Sequence, residues 1–213
     1  KKKKDYLFFS FLMKKTESRK NINLRGKDYY QKLLDTYPDH SFITLSYLDL
    51  PNRLKEVERQ LEKNLKTAQK FTDKTKEGKI KENQQERKRL EEEISFLKSH
   101  IGRGDSVVPL SGTLTIEFGK TSENLYAGMN EEFRHYQPAI PTWFETAQHS
   151  FERGAETHNM GGIENNLEGG LINFKSKFNP TIEEFAGEFN YPTSSLYFLF
   201  NLAYKIRKKL RSR

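Results

Sequence analysis

The chain has 213 residues, a formal net charge of +8 and no cysteine. Lack of cysteine excludes disulfides, thiolate catalysis and cysteine-ligated zinc, and the surplus of lysine and arginine favours polyanionic partners such as nucleic acid, phosphorylated intermediates or an anionic membrane face. With 34% hydrophobic and 31% charged residues, the composition is lean for a compact globule throughout, so a non-globular, charge-rich segment is expected beside a core drawing on 16 Phe and 10 Tyr.

The N-terminal KKKKDYLFFSFLMKK has a basic start and a short apolar patch but no small-residue cleavage site, and is not expected to be a signal peptide. No apolar run approaches the length of a membrane span. Tyr6, Phe9, Leu12 and Met13 recur at helical spacing, predicting a helix that ends near Thr16–Lys20. A loop carrying Arg25 leads to a second helix over Asp28–Leu34, broken by Pro38 and Asp39. Ser41–Leu48 alternates as a strand.

Pro51 opens a different regime, suited to the first turn of a helix. Leu54, Val57, Leu61, Leu65, Ala68 and Phe71 repeat at threes and fours, and Ile80, Leu90, Ile94, Leu97 and Ile101 do so after Lys76-Glu77-Gly78, with Asn83 and Arg87 at the intervening seam positions. This heptad pattern predicts two antiparallel coiled-coil arms with a tip at Lys74–Lys79. Arms of about twenty residues project roughly 30 Å at 1.5 Å per residue. The tip half carries Lys63, Lys66, Lys70, Lys74, Lys76, Lys79, Lys81, Arg87, Lys88 and Arg89. Such an arm is either a solvated hairpin or a grip for nucleic-acid phosphates, which needs charge and reach rather than sequence readout.

Val107–Phe118 and Asn124–Met129 read as strands with a turn at Lys120–Glu123, so strands flank the hairpin on both sides. Ala139–Arg153 is expected to be a helix with Ile140, Trp143, Phe144, Ala147 and Phe151 on its apolar face and Gly154 as its cap. Thr157–Ile163 is a short strand entering a stretch with two glycine pairs, Gly161–Gly162 and Gly169–Gly170, followed by one or two helical turns over Leu171–Lys177. Ile182–Tyr191 reads as a strand, and Ser194–Arg213 as a helix with an apolar first half and a cationic end. That helix either docks in a core or lies on an anionic membrane surface. Alternating helices and strands predict a layered α/β or α+β domain.

The five histidines do not sit at ligand spacing, so no metal site is expected. There is no GxSxG, and the glycine pairs lack a GK[ST] ending. Neither Arg103-Gly104-Asp105 nor Arg153-Gly154-Ala155 completes the pyrophosphate turn of acetyl-CoA enzymes, so acetyl-CoA is not the expected donor. The glycine pairs are instead read as shaping the floor of a cleft.

YAGMNEEFRHYQ at Tyr126–Gln137, the helix with Trp143, NMGGIENNLEGGLINFKSKFNPTIEEFAGEF, SLYFLFNLAYKIRKKLRSR and ESRKNINLRGKDYYQKLL together resemble the Fem/Mur aminoacyltransferases of Gram-positive bacteria, in particular the MurM and MurN branch, over roughly residues 10–213. The resemblance implies two acetyltransferase-like (GNAT) halves, of which 1–50 and 102–213 form the second, 51–101 the inserted coiled-coil arm, and the first half lies outside this sequence. It implies transfer of an amino acid, alanine or serine, from aminoacyl-tRNA to the stem-peptide lysine, or to the first bridge residue, of a lipid-linked peptidoglycan precursor. No cofactor is implied, and the setting is the cytoplasm with peripheral contact at the inner face of the cell membrane. An arginine and a tyrosine four residues later match Arg25 and Tyr29, with Arg19 as the rival arginine; a substrate-facing tyrosine matches Tyr126; an aromatic–lysine pair matches Phe174 and Lys175. On this resemblance Arg25, Tyr29, Tyr126 and Phe174 bind substrate, Lys175 is the catalytic cation and the arm grips tRNA. The remaining alternative is a non-catalytic RNA-binding module.

Overall fold

The computed structural model describes residues 2–163, 168–187, 189 and 191–211, in two compact units, Lys1–Asn173 and Phe174–Arg213. The first unit holds a sheet of β1 (Ser41–Asp49), β2 (Val107–Phe118), β3 (Thr121–Met129) and β4 (Thr157–Asn159), in that spatial order. β1, β2 and β3 are antiparallel neighbours, and β4 joins β3 in parallel after a crossover through α5 (Ala139–Glu152). Helices α1 (Lys2–Lys20) and α2 (Lys27–Thr36) precede β1, and a 3-10 helix spans Glu131–Tyr136.

Side chains alternate across a strand, and β2 shows what each face of the sheet buries. Leu114 packs with Phe9, Met13 and Tyr30 from α1 and α2. Thr113, on the opposite face, meets Thr146 of α5. On the first face, α1 sits in a notch made by two glycines paired across the strands, Gly112 and Gly128. A Cβ on Gly128 would lie 3.0 Å from the backbone carbonyl carbon of Leu12, and one on Gly112 would lie 2.6 Å from Leu45 Cδ2.

On the α5 face the expected apolar stripe is replaced by hydroxyls. Trp143 is buried, but Phe144 and Phe151 are exposed, and the inward positions are Thr142, Thr146 and Ser150. Each of these hydroxyls donates to the carbonyl four residues back, at 2.8, 2.7 and 3.0 Å. The helix thereby satisfies its own buried polar groups and approaches the sheet closely without large side chains between them.

Between β1 and β2 stand α3 (Leu50–Ala68) and α4 (Glu77–Gly102), packed on each other as a helical hairpin. Asp49 caps α3 by accepting from the Asn52 amide at 2.9 Å, the expected role of an aspartate before a helix. Val57, Leu90 and Leu97 are buried in the seam. Asn64 and Asn83 each donate their amide to the other's backbone carbonyl, at 3.1 and 3.2 Å. Arg87, expected in the seam, lies outside it: its guanidinium stays in solvent and pairs with Glu91. The first arm ends at Ala68 rather than Phe71. The expected turn at Lys120–Glu123 is tighter, at Gly119–Lys120, where Gly119 takes φ +57° and frees β3 to begin at Thr121.

The second unit contains the end of α6 (Gly170–Lys175), a 3-10 turn at Ser176–Phe178 and α7 (Leu196–Arg211). The strand expected over Ile182–Tyr191 is not formed among its described residues. Glu183-Glu184 interrupts its alternation, Gly187 adopts φ +90°, and Ile182, Phe185, Phe189 and Tyr191 are exposed. Leu196, Phe198, Leu199, Phe200 and Leu202 of α7 are also exposed. No helix is long and apolar enough to cross a membrane among the described residues.

Because the Gly128 notch meets backbone rather than a movable side chain, Gly128→Ala is expected to destabilise the fold by about 1–3 kcal/mol. Gly102→Ala, which meets nothing within 4 Å, is expected to be near neutral. Urea denaturation of both variants checks this, and equal stabilities would rule the notch out.

Candidate functional site

Arg25, Tyr29 and Tyr126 come together in the first unit from three different elements. Arg25 ends the loop before α2, Tyr29 lies in the first turn of α2, and Tyr126 is on β3. The Arg25 guanidinium lies 5.3 Å from the centre of the Tyr29 ring, a cation–π arrangement. The Tyr29 and Tyr126 rings meet edge to face at 6.2 Å. Tyr126 owes its direction to a bulge. The β2–β3 register slips between Leu114, opposite Tyr126, and Thr115, opposite Asn124, leaving Leu125 unpaired. That extra residue turns Tyr126 to the α1–α2 face while Asn124 stays on the α5 face, bonded to Thr115. Re-aiming a side chain is a common use of a bulge. Arg19, the rival arginine, faces Glu131 at 3.7 Å instead.

Tyr30 was not singled out by the sequence pattern, yet it is the centre of this cluster. It is fully buried, with ring contacts to Phe9 and Tyr126 at 5.3 Å and to Tyr29 at 6.0 Å. Burial pushes its hydroxyl up to about 12, and the neighbouring Tyr126, Glu17 and Tyr29 add to the effect. The backbone of Arg25 acts in the opposite direction on the Tyr30 hydroxyl, which has no side-chain partner among the described residues. Tyr126 is also raised, first by burial and then by Tyr29, while Arg25 acts in the opposite direction. Tyr30 and Tyr126 are therefore held as neutral phenols, and Tyr126 is able to donate a hydrogen bond beside the fixed Arg25 cation. The only sequence sign of Tyr30's role is that it follows Tyr29 directly, which places one ring outward and the other inward on the helix.

Phe174 and Lys175 belong to the second unit. Lys175 closes α6 and is only 4% exposed, whereas Lys177, two residues on, is exposed. The two lysines of this short basic segment are thus different in kind. Phe174 stacks edge-on with Phe178 at 5.6 Å. Of the glycine stretch, 164–167 lies outside the described residues; Gly161 takes φ +77°, and its amide donates to Asn159 Oδ1 at 2.7 Å.

A polar seam runs beneath α5. Thr142 reaches Ser46 at 2.9 Å, Thr146 meets Thr113 at 2.7 Å, and Ser122 meets His158 Nδ1 at 2.8 Å. His158 Nε2 is buried without a partner among the described residues, and burial lowers the histidine's affinity for a proton. No cluster of metal-ligating side chains occurs among the described residues. Two surface cavities of ≈ 340 and ≈ 390 Å³ lie elsewhere in this unit. The first, along β1 and α5, presents Glu145 and Glu152 and is ill suited to an anion. Neither includes Arg25, Tyr29 or Tyr126.

The basic residues in the tip half of the hairpin divide into two groups. Lys66, Arg87, Lys88 and Arg89 face Glu62, Glu91, Glu92 and Glu86 on their own helices. Lys63, Lys70, Lys74, Lys76, Lys79 and Lys81 have no such ion pair among the described residues.

The sequence profile of the FemAB family matches residues 3–205. The lipid II:glycine glycyltransferase of Staphylococcus saprophyticus subsp. saprophyticus is 27% identical over 213 residues, covering 95% of this chain and 51% of that protein. The aminoacyltransferase FemA of Staphylococcus aureus is 26% identical over 222 residues, covering 97% and 51%. A crystal structure of FemX shares the fold with a TM-score of 0.57 at 23% identity, over 81% of this chain and 47% of that one. The chain spans about half the length of the curated relatives it matches.

The His158 environment gives a pH prediction. Its folded proton affinity is below the ordinary 6.5, so on acidification the unfolded chain takes up the proton first. The stabilising contribution is complete above about pH 6.5 and declines as pH falls from there toward the folded value. In urea denaturation between pH 7.5 and 5.5, His158→Gln should lose less stability on acidification than the unaltered chain; parallel pH profiles would contradict this.

Proposed function

The chain belongs to the FemAB family, and from that premise we propose that it forms half of an aminoacyltransferase building peptidoglycan cross-bridges. The donor is aminoacyl-tRNA carrying a small amino acid, alanine or serine; one relative is named for glycine and lipid II. The acceptor is the stem-peptide lysine amine of a lipid-linked peptidoglycan precursor, or the amine of the first bridge residue. The observation that carries this reading is the convergence of Arg25, Tyr29 and Tyr126 in a FemAB chain.

In this reaction the acceptor amine attacks the ester carbonyl of the donor. A C–N bond forms, a tetrahedral oxyanion develops, the ester C–O bond to the ribose breaks, and the ribose hydroxyl departs with a proton from the amine. No covalent enzyme intermediate or cofactor is required. Holding two substrates in register contributes about 7–11 kcal/mol in favourable intramolecular cases, and a placed cation or donor at the oxyanion about 3 kcal/mol. Lys175 is the proposed cation, at the end of α6. The Arg25 fork suits precursor phosphate, Tyr29 and Tyr126 donate to precursor groups, and Phe174 excludes water that would hydrolyse the donor.

Residues 1–50 and 102–213 make the second acetyltransferase-like domain in this reading, and 51–101 an inserted coiled-coil arm that grips tRNA. The exposed apolar residues of α7, followed by Lys205, Arg207, Lys208 and Lys209, support peripheral contact with the cytoplasmic membrane where the lipid-linked acceptor resides.

With the relatives' other half restored, Lys175→Met is expected to lower transfer from alanyl- or seryl-tRNA about 100-fold or more, with precursor affinity within about twofold of the unaltered enzyme. Retained turnover would remove Lys175 from the chemistry. Absence of transfer by the unaltered enzyme, with tRNA binding intact, would favour a non-catalytic RNA-binding module.

A further inference from the structure

The cations of the hairpin differ in what surrounds them. Between Lys70 and Lys81 the chain has five lysines against two carboxylates, Asp73 and Glu77. On the α4 flank, Arg87 and Arg89 hold Glu91 and Glu86 at 2.7 Å, and Lys88 faces Glu92 at 3.9 Å. A phosphate approaching that flank would be drawn by three cations and repelled by the same number of adjacent carboxylates. At the tip the attraction is largely unopposed. Along α4, Lys79 lies about 12 Å from Arg87 at 1.5 Å per residue, more than the roughly 8 Å screening length at physiological salt.

The tip is built to present its lysines from a defined backbone. Its turn is closed by the Thr75 amide donating to the Thr72 carbonyl at 2.8 Å and by the Thr72 amide donating to Thr75 Oγ1 at 2.9 Å. The reciprocal Asn64–Asn83 bonds hold the two arms in register just below it. Ordered backbone lowers the entropy lost on binding, so only the lysine side chains need to be fixed.

We propose that the hairpin grips RNA end-on, through phosphate contacts from Lys70, Lys74, Lys76, Lys79 and Lys81 at its tip, and that the Arg87–Arg89 flank makes no RNA contact. This rests on the reading of the hairpin as an RNA-binding arm and adds where on the arm the RNA lies. The recognition is electrostatic and sequence-independent, as phosphate contacts are.

Two triple variants of the 213-residue chain remove equal charge: Lys74→Ala/Lys76→Ala/Lys79→Ala at the tip and Arg87→Ala/Lys88→Ala/Arg89→Ala on the flank. Binding to an uncharged tRNA transcript is followed by fluorescence anisotropy at several salt concentrations, with circular dichroism confirming unchanged helix content. The tip variant should bind about tenfold or more weakly at 150 mM salt, with a salt slope reduced by about 2–3, and the flank variant within about threefold of the parent. Equal losses, or a greater loss from the flank, would overturn end-on binding while leaving an RNA-binding arm in place. A parent chain that binds anionic phosphatidylglycerol vesicles but no tRNA would overturn RNA as the partner, and with it the arm's assigned role.

Discussion

The close approach of α1 to the sheet is the constraint from which the candidate site follows. Gly112 and Gly128 face each other across β2 and β3 and leave room for the backbone of α1 at Leu12. With α1 seated there, Phe9 meets Tyr30, and Tyr30 in turn braces Tyr126. The bulge at Leu125 then decides which face Tyr126 serves. A strand of unbroken alternation would turn it toward the hydroxyl seam under α5, away from Arg25 and Tyr29. Two glycines and one extra residue therefore account for the position of a polar group that no single sequence motif specifies.

A second junction governs the arm. Glu93 of α4 is buried and accepts from Arg53 Nε at 2.8 Å and from the Tyr136 hydroxyl at 2.9 Å. It therefore ties both helices of the hairpin to the 3-10 turn that follows β3. Burial and the Glu93 carboxylate together raise the Tyr136 phenol, which stays protonated as the donor in this bond. Removing one member of such a buried pair costs about 3–5 kcal/mol, because the partner charge is left uncompensated. The interaction gives the hairpin a fixed root on the sheet, and the asparagine pair holds its arms in register further out. A lysine tip on a firmly rooted arm can engage a large polyanion at a distance from the sheet.

Much of this was legible in the sequence because periodicity is a local property. The helical spacing of the hairpin, the strand patterns of β1 and β2, and the breaks at Pro38 and Gly154 all report their own conformation. The misses arise where tertiary contacts decide. Phe144 and Phe151 looked like core residues of α5, but the sheet surface opposite is lined with hydroxyls, and close packing there admits threonine and serine instead. Arg87 matched the seam by spacing, yet a carboxylate one turn away on the same helix offered its charge a partner in water. Ile182–Tyr191 has strand-like composition, but its acidic pair and Gly187 leave it without a ladder among its described residues. Family resemblance singled out Arg25, Tyr29 and Tyr126; Tyr30 escaped notice because its importance lies in bracing those residues.

Arg25 and Tyr126 are proposed to act as one acceptor-binding group, coupled through Tyr29 and Tyr30. The most direct measurement is a double-mutant cycle of Arg25→Ala and Tyr126→Phe, reading kcat/KM for transfer to the lipid-linked acceptor with the other half of the enzyme restored. Residues acting as one group should show a coupling energy of about 1–2 kcal/mol, the double variant being less impaired than the sum of the single ones. Losses that add to within about 0.3 kcal/mol would mean that the two residues act independently, and would contradict the proposed site.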